Sequence, residues 1–394
     1  MKARSAGRAV AALGLLALTG GCSSAGLGGL NEPTPTPRVE APPPLSAAAP
    51  VGQTFGSGAV RVGLVLPLTQ SGRESTIGQA MLNAAQMALA DGGAGDVTLM
   101  ALDDRSAPEA AASAAQAEVK AGAEIIVGPL FAADVRQVSA VARGANVPVI
   151  AFSTDATAAS EGVYLLSFLI ETYVDRIVDY AVSRGKKTIA VIAPQTDYAN
   201  VAIAELKAQA ARAGASVVSV ARYAPGQAAG AVTQVAHDAP DADAIFLPEQ
   251  PEALPAVAAA LGAAGVKAQL LGTGVWNDPR VAAIPALQGA WYSAPESSGF
   301  AAFALRYRAK YNAEPPRLAT LCYDAVSLVA ALARTPSGQR FKPATLANAS
   351  GFNGADGLFR FRLNGTNERG LTVMQIGAGG VEVISPAPKS FAGG

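Results

Sequence analysis

The sequence predicts an α/β protein with two doubly wound parallel-sheet lobes, and three observations support this fold class. From Val60 onward, short apolar runs of strand length alternate with longer segments that have helical apolar spacing. The same alternation starts again after Val163, and the chain ends in shorter apolar segments with glycine turns. Strands that alternate with helices at this spacing form parallel sheets with helices on both faces.

The first block of elements fits one such lobe. Residues 60–68 are a continuous apolar run, as expected for a strand that is buried on both faces. Residues 78–90 carry small and apolar side chains at helical spacing. The predicted elements are strand 60–68, helix 78–90, strand 97–102, helix 108–121, strand 125–130, helix 133–143 and strand 147–152.

The second block repeats this order. Its predicted elements are helix 172–183, strand 188–193, helix 200–213, strand 216–223, helix 228–237, strand 244–247, helix 252–264 and strand 269–271. Helices at 301–311 and around Cys322 follow, and residues 352–361 and 371–384 are predicted to be β-hairpin material. Ligands of doubly wound sheets bind at the carboxyl ends of the strands, where the strand order reverses, so we expect a ligand cleft there.

The N-terminus resembles a bacterial lipoprotein signal. Lys2, Arg4 and Arg8 form a positive region, residues 10–18 are a short apolar run, and small residues lead to Cys22. The pattern predicts a signal peptide over residues 1–22, with Cys22 as the lipidated first residue of the mature chain. Secretion with a free N-terminus is the alternative. Because no aspartate follows Cys22, the resemblance favours a lipid anchor on the periplasmic face of the outer membrane of a Gram-negative bacterium.

Composition describes the tether and restricts the partners. Residues 23–59 are rich in Pro, Gly, Ser and Ala, which predicts an extended tether rather than part of a core. The 30 basic and 30 acidic side chains give a net charge of zero. This balance argues against a nucleic-acid partner, which needs a basic surface to displace counterions.

Few residues are available for catalysis or metal binding. Once Cys22 is lipidated, Cys322 is the remaining cysteine, and its apolar helical surroundings predict a buried, inert thiol. His237 is the single histidine, and its position near a predicted helix end favours a capping role. A zinc site or a histidine-dependent triad has little material to use. We therefore predict a protein with no catalytic residues, no metal and no cofactor.

Three charged residues, Asp103, Asp104 and Arg105, follow the predicted strand 97–102. Carboxylates at strand ends usually face water. We predict a loop with a local ion pair here, and a metal or substrate site is the alternative.

Five short motifs follow one another in register along the chain. They are Val62-Gly63-Leu64-Val65-Leu66-Pro67-Leu68-Thr69, then Gly72 with Gly78-Gln79-Ala80, Leu102-Asp103-Asp104-Arg105-Ser106, Ile126-Val127-Gly128-Pro129-Leu130 and Val147-Pro148-Val149-Ile150. Together they resemble type I periplasmic binding proteins of the leucine/isoleucine/valine-binding group. The resemblance implies two doubly wound lobes that are joined by three hinge crossings and close over a ligand. It implies a first lobe of residues 60–165 and 294–350, and a second lobe of residues 166–293 and 351–386.

The same resemblance indicates candidate ligand residues. In amino-acid binders of this family, hydroxyl residues hold the ligand carboxylate, and an acid in the second lobe pairs with the ammonium. Here Asp155 lies near the position of a carboxylate-binding Thr, and Gly274 lies where the ammonium-binding acid would be. Tyr198 matches a family aromatic that packs on ligands. The candidate cleft residues are Ser71, Ser153, Thr154, Asp155, Tyr198, Trp276 and Asn277.

Some of these candidates have simpler interpretations. Ser71, Ser153 and Thr154 are hydrogen-bond donors or turn residues, because no base is available to make any of them a nucleophile. The segment Trp276-Asn277-Asp278 either caps the cleft, contacts a partner, or forms a loop in which a polar side chain caps the turn before Pro279.

Two further segments indicate a function. Leu271-Gly272-Thr273-Gly274-Val275-Trp276-Asn277-Asp278-Pro279 and Leu287-Gln288-Gly289-Ala290-Trp291-Tyr292 resemble the penicillin-binding-protein activator lipoproteins. Those proteins stimulate a peptidoglycan synthase by contact, so the resemblance implies a non-enzymatic protein whose partner is a penicillin-binding protein. The alternative is a substrate-binding protein of an ABC importer with a small amino-acid-like ligand. The cleft distinguishes the two, since a buried ammonium without a partner is costly.

Overall fold

The computed structural model describes residues 52–92 and 94–391, so the predicted signal peptide, Cys22 and most of the tether lie outside the described residues. The strands are β1 Gly52–Phe55, β2 Val60–Leu66, β3 Thr69–Gln70, β4 Arg73–Glu74, β5 Val97–Asp103, β6 Ile125–Val127, β7 Val149–Ala151, β8 Val163–Leu165, β9 Thr188–Pro194, β10 Ser216–Tyr223, β11 Ala244–Phe246, β12 Gln269–Gly272, β13 Trp291–Ala294, β14 Phe352–Gly354, β15 Gly357–Phe361, β16 Asn367–Arg369, β17 Thr372–Gly377 and β18 Gly380–Ser385.

The helices alternate with these strands as the sequence predicts. They are α1 Thr76–Gly92, α2 Pro108–Lys120, α3 Ala132–Gly144, α4 Ile170–Ser183, α5 Asp197–Ala213, α6 Ala228–Asp238, α7 Leu254–Ala263, α8 Pro279–Ala282, α9 Ser297–Tyr311, α10 Ala319–Ala333 and α11 Pro343–Leu346. Short 3-10 helices lie at Ala156–Ala158, Gly274–Trp276 and Pro285–Leu287. Within the part of the chain that the structure describes, no helix has both the length and the apolar character needed to cross a bilayer.

The first lobe is built on a six-stranded sheet in the order β1-β5-β2-β6-β7-β8. Its strands are parallel except for β1, which pairs antiparallel with β5. The strand order reverses between β2 and β6, and α1 packs with α10 while α2 packs with α3. This arrangement confirms the prediction of a doubly wound lobe, and the reversal marks the edge of the sheet where a ligand binds.

The second lobe repeats this winding. Its seven-stranded sheet has the order β10-β9-β11-β12-β13-β17-β18. The first five strands are parallel, and β17 and β18 add an antiparallel edge. The strand order reverses between β9 and β11, so both lobes have their switch points at the carboxyl ends of parallel strands.

Three crossings join the lobes, as the fold class predicts. The chain passes from β8 to α4 through residues 166–169, from β13 to α9 through residues 295–296, and from β16 to β17 through residues 370–371. The third crossing comes later than the predicted boundary at residue 351. The reason is that β14, β15 and β16 form a small separate sheet, whose Phe359 and Phe361 pack with Tyr164 and Leu166 in the core of the first lobe.

The end of the predicted tether is also part of the fold. Residues 52–55 form β1, which pairs with β5 in the register Gly52 to Leu102. Three of its four residues, Gly52, Gln53 and Thr54, are exposed, so this edge strand is held mainly by backbone hydrogen bonds. The composition of residues 23–59 gives no indication of such a strand, because β1 contributes little apolar surface to the core.

Cys322 and His237, the described cysteine and the single histidine, both lie in helices as the sequence predicts. Cys322 is fully buried in α10, and burial raises the pKa of its thiol, so it is inert. His237 lies in the last turn of α6, and its Nδ1 is 2.9 Å from Asp238 Oδ1.

Glu118 makes folding stability depend on pH. It lies on α2 with 1% of its surface exposed, and burial raises the pKa of its carboxyl to about 8. Between its ordinary pKa near 4.5 and pH 8, the folded protein therefore holds a proton that the unfolded chain releases. It follows that the free energy of unfolding falls as the pH rises through this window.

We expect Glu118→Gln to remove the part of this pH dependence that Glu118 contributes. The variant should be more stable than the wild type at pH 8 by roughly 2–4 kcal/mol, and by much less at pH 5, because glutamine has no charge to bury. Urea unfolding at the two pH values measures the difference. Glu161→Gln, at an exposed site, is the control and should change stability by less than about 0.5 kcal/mol at either pH. An equal effect of Glu118→Gln at both pH values would contradict the interpretation.

Candidate functional site

A cavity of about 320 Å³ lies between the lobes, beside the crossings. Thr154 follows β7 of the first lobe, while Tyr198 and Val275 follow β9 and β12 of the second lobe. The cavity therefore lies at the carboxyl ends of parallel strands, where the fold predicts a ligand. Its lining residues are Thr154, Phe168, Ile170, Tyr173, Tyr198, Gly274, Val275, Asn277, Pro295, Arg317 and Leu318.

Three of the seven predicted cleft residues meet in this cavity. Thr154, Tyr198 and Asn277 all line it, although they follow three different strands, β7, β9 and β12. The Tyr198 hydroxyl is 2.5 Å from Thr273 Oγ1, and burial raises the pKa of Tyr198 to about 12. Tyr198 is therefore a neutral hydroxyl on an aromatic wall at physiological pH.

The other four predicted residues do not line the cavity. Ser71 lies in the exposed turn between β3 and β4, with a φ of +50°. Ser153 is buried, and its Oγ accepts a hydrogen bond from the Asp155 amide at 3.1 Å. Trp276 is 1% exposed and packs against Tyr292 inside the second lobe. An aromatic residue after a strand has the same local pattern whether it enters a cleft or a core, so the sequence alone could not separate these cases.

Asp155 points away from the cavity. Its Oδ1 accepts hydrogen bonds from the amide of Thr157 at 2.9 Å and from the Thr157 hydroxyl at 2.6 Å, and its Oδ2 is 2.7 Å from Arg136 Nη2. The Thr157 hydroxyl, together with the Arg136 guanidinium, holds the pKa of this carboxyl below its ordinary value. Asp155 therefore caps the short helix that follows it and does not line the cavity.

Gly274 is needed for the close approach of an aromatic ring. A Cβ atom at this position would lie 2.3 Å from the ring of Tyr173. Tyr173 comes from α4, at the start of the second lobe, and its ring lines the cavity. An acid at position 274 would have to displace this ring, so the predicted absence of an ammonium partner has a steric cause in the structure.

Arg317 also lines the cavity, although it is not among the candidates identified from the sequence. Its Nε donates to Asp356 Oδ2 at 3.0 Å and its Nη2 donates to Asp356 Oδ1 at 2.5 Å, which is a bidentate pair. Asp356 is 1% exposed and also accepts a hydrogen bond from the Thr320 hydroxyl at 2.9 Å. The sequence does contain one signal for this pair. Arg317 lies just before the apolar helix α10, where the positive end of the helix dipole disfavours a cation, and this indicates that an acid lies nearby.

A second guanidinium lies behind the cavity wall. Arg369 is 4% exposed, and its Cζ lies 4.6 Å from the ring centre of Phe168, which lines the cavity. Its Nε donates to the backbone oxygen of Ser167 at 3.0 Å. Asp324 is also buried, and burial raises the pKa of its carboxyl to about 7. The hinge region thus holds buried positive charge close to the cavity.

The loop at residues 103–105 departs from its prediction. Asp103 accepts hydrogen bonds from Thr69 and from the Arg105 amide, and the expected side-chain ion pair with Arg105 is absent among the described residues. Asp104 is fully buried rather than facing water, and burial raises its pKa to about 7. Within residues 52–92 and 94–391, no group of three or more acidic, histidine or cysteine side chains is arranged to hold a metal ion.

A larger groove of about 870 Å³ runs along α4, α5 and β16. Its charged side chains pair with each other: Arg212 contacts Glu205 and Asp175, and Arg360 lies 2.8 Å from Glu368. These pairs largely neutralise one another, so the groove offers less to a charged ligand than the cavity between the lobes.

Two doubly wound lobes, three crossings and a cavity at the facing strand ends define the class of two-lobed binding proteins. The chain belongs to the periplasmic binding protein family, since the model of that family matches residues 59–381, which is more than half of the chain. The family indicates a periplasmic or other extracytoplasmic location. A comparison with curated proteins finds no match.

Three solved structures that share this fold are named as proteins of branched-chain amino acid transporters. A putative branched-chain amino acid ABC transporter protein from Rhodospirillum rubrum is 21% identical with a TM-score of 0.73, covering 83% of this chain and 100% of that chain. A branched chain amino acid ABC transporter periplasmic ligand-binding protein from Burkholderia xenovorans is 18% identical with a TM-score of 0.64, covering 85% and 97%. The substrate-binding protein LivJ from Streptococcus pneumoniae, in complex with isoleucine, is 22% identical with a TM-score of 0.54, covering 83% and 99%.

Proposed function

We propose that this protein is an extracytoplasmic solute-binding protein that delivers a small organic molecule to an ABC importer. The observation that carries this proposal is the cavity at the hinge, which is lined by residues of both lobes. A ligand in such a position contacts both lobes at once and therefore stabilises their closed arrangement. The transporter proteins with the same fold support the proposal. The protein has no catalytic role in it.

A thermal-shift screen of the folded protein against small organic solutes tests this function. A solute present at 100 times its Kd should raise the free energy of unfolding by about 2.7 kcal/mol, which gives a clear increase in Tm. Val275→Trp, which fills the cavity, should abolish the shift. Val218→Trp, at an exposed position on β10, is the control and should retain it. A shift that survives Val275→Trp would place the ligand elsewhere and contradict the proposal.

The second candidate function is activation of a penicillin-binding protein in peptidoglycan synthesis. The observation that favours it is the absence of any carboxylate among the described residues lining the cavity, which leaves an amino-acid ammonium without a counter-charge. In this case the surface of the protein carries the activity. The screen separates the two functions, because an activator would show no Tm shift with any solute but would increase the rate of a purified peptidoglycan synthase.

We also propose that Cys22 is lipidated and that residues 23–51 tether the folded body to the periplasmic face of the outer membrane. The support is the sequence of the N-terminal region. Cys22→Ser should move the protein from the membrane fraction to the soluble periplasmic fraction, and an unchanged membrane fraction would contradict the anchor.

A further inference from the structure

We propose that the cavity binds a small apolar carboxylate that has no α-ammonium group, and that Arg317 holds its carboxylate. This inference rests on the proposed solute-binding function and names the class of solute. Three features of the described lining support it. The walls are mainly apolar, Arg317 is the one charged side chain, and no carboxylate is present to pair with an ammonium.

The walls of the cavity are mainly apolar. Phe168, Tyr173 and Tyr198 provide aromatic surface, and Val275 and Leu318 provide aliphatic surface. The volume of about 320 Å³ suits a molecule of amino-acid size. Since binding to such walls is driven by removal of apolar surface from water, the body of the ligand should be a branched aliphatic or aromatic group.

Arg317 is the only charged side chain among the described residues that line the cavity. Its Nε and Nη2 are used by Asp356, but its Nη1 forms no hydrogen bond within the described residues. The side chain keeps 26% of its surface exposed. A guanidinium has five N–H donors, so Nη1 remains available to a carboxylate in the cavity.

The structure holds this guanidinium in place before a ligand arrives. Asp356 is itself buried and is fixed by the Thr320 hydroxyl, so the orientation of Arg317 does not have to be established on binding. Arg369 adds a second positive charge behind Phe168. Its neighbour Asp324 offsets that charge only in part below pH 7, because burial favours the protonated form of this carboxyl.

An ammonium group has no carboxylate partner among the described residues that line the cavity. Tyr173 occupies the space beside Gly274, and the carboxylate of Asp155 is bound by Thr157 and Arg136 outside the cavity. The carboxylate of Asp356 is engaged by Arg317 and Thr320. A buried ammonium would therefore lose its water without gaining a counter-charge, whereas a carboxylate gains one from Arg317.

Three probes that differ by one group test the inference on the wild-type chain. They are 4-methylpentanoate, its neutral amide 4-methylpentanamide, and L-leucine, which is 4-methylpentanoate with an α-ammonium. Isothermal titration should give 4-methylpentanoate a Kd at least about tenfold below that of either other probe, since a charge-assisted hydrogen bond and an unpaired ammonium each change binding by about this factor. 3-Phenylpropanoate and L-phenylalanine repeat the comparison with an aromatic body.

The role of Arg317 is tested with the double variant Arg317→Gln/Asp356→Asn, which replaces the ion pair with a neutral pair and leaves no charge at either position. It should weaken carboxylate binding about tenfold or more and leave amide binding within about twofold. Arg317→Lys keeps a cation in the cavity and should retain a preference for the carboxylate.

The outcomes separate this inference from the proposed function. Leucine binding as tightly as 4-methylpentanoate, or carboxylate binding unchanged in the folded double variant, would overturn the inference and leave solute binding intact. Cavity-dependent Tm shifts with other solutes but none with these probes would also overturn it. If no solute of the wider screen shifts the Tm, the solute-binding function itself fails.

Discussion

Replacing Gly128 with alanine is expected to lower the free energy of unfolding by more than about 3 kcal/mol, or to abolish cooperative folding. Gly128 directly follows β6 and has a φ of +94°, which side-chain-bearing residues rarely adopt. A Cβ atom at this position would lie 1.9 Å from the backbone oxygen of Val65 in the neighbouring strand β2. Neither strand can move easily, because both are buried in the centre of the first-lobe sheet.

Gly144→Ala is the matched control for this substitution. Gly144 is the last residue of α3, and a Cβ atom there would meet nothing within 4 Å. Alanine favours the helix, so stability should stay equal or rise by up to about 1 kcal/mol. Urea unfolding followed by circular dichroism measures both variants. If the free energy of unfolding of Gly128→Ala stays within about 1 kcal/mol of the wild-type value, the close approach of Gly128 to the Val65 backbone oxygen is contradicted.

Asp356→Asn is expected to cost about 3 kcal/mol of folding stability. Asp356 is buried and forms a bidentate pair with Arg317, so the variant leaves a partly buried guanidinium without its counter-charge. Removal of one partner from a buried ion pair costs about 3–5 kcal/mol, and the partial exposure of Arg317 places this case at the lower end.

The control is an exposed ion pair of the same residue types. Asp96 contacts Arg334 at 2.9 Å, and the two side chains are 39% and 63% exposed. Asp96→Asn should cost less than about 1 kcal/mol. The double variant Arg317→Gln/Asp356→Asn should recover part of the loss from Asp356→Asn, because it removes the unpaired charge. Equal losses for Asp356→Asn and Asp96→Asn would show that the pair at the hinge does not hold the guanidinium in place.

The sequence predicts the fold well because the central strands of both lobes are buried on both faces. Their continuous apolar runs, such as that of β2, are distinct from the amphipathic helices between them. The small sheet of β14, β15 and β16 is different. Its apolar pattern predicts β-structure but does not say which lobe covers Phe359 and Phe361, and the resemblance assigned it to the wrong side of the hinge.

The site was harder to predict, because tertiary packing decides which side chains face the cavity. The resemblance indicates Thr154, Tyr198 and Asn277, and each follows the carboxyl end of a parallel strand, where sheets of this kind bind ligands. Arg317 acquires its role from Asp356, which lies 39 residues away and meets it only through tertiary packing. Trp276 lies in the same loop as Asn277, but its large apolar ring turns into the core instead of the cavity.

The most direct test of solute binding in the cavity is a crystal structure of the protein with 4-methylpentanoate. We expect one molecule between the lobes, with its aliphatic body against Phe168 and Leu318 and its carboxylate within hydrogen-bond distance of Arg317 Nη1. Electron density for the ligand in the groove along α4 and α5, or an empty cavity at saturating concentration, would contradict this assignment.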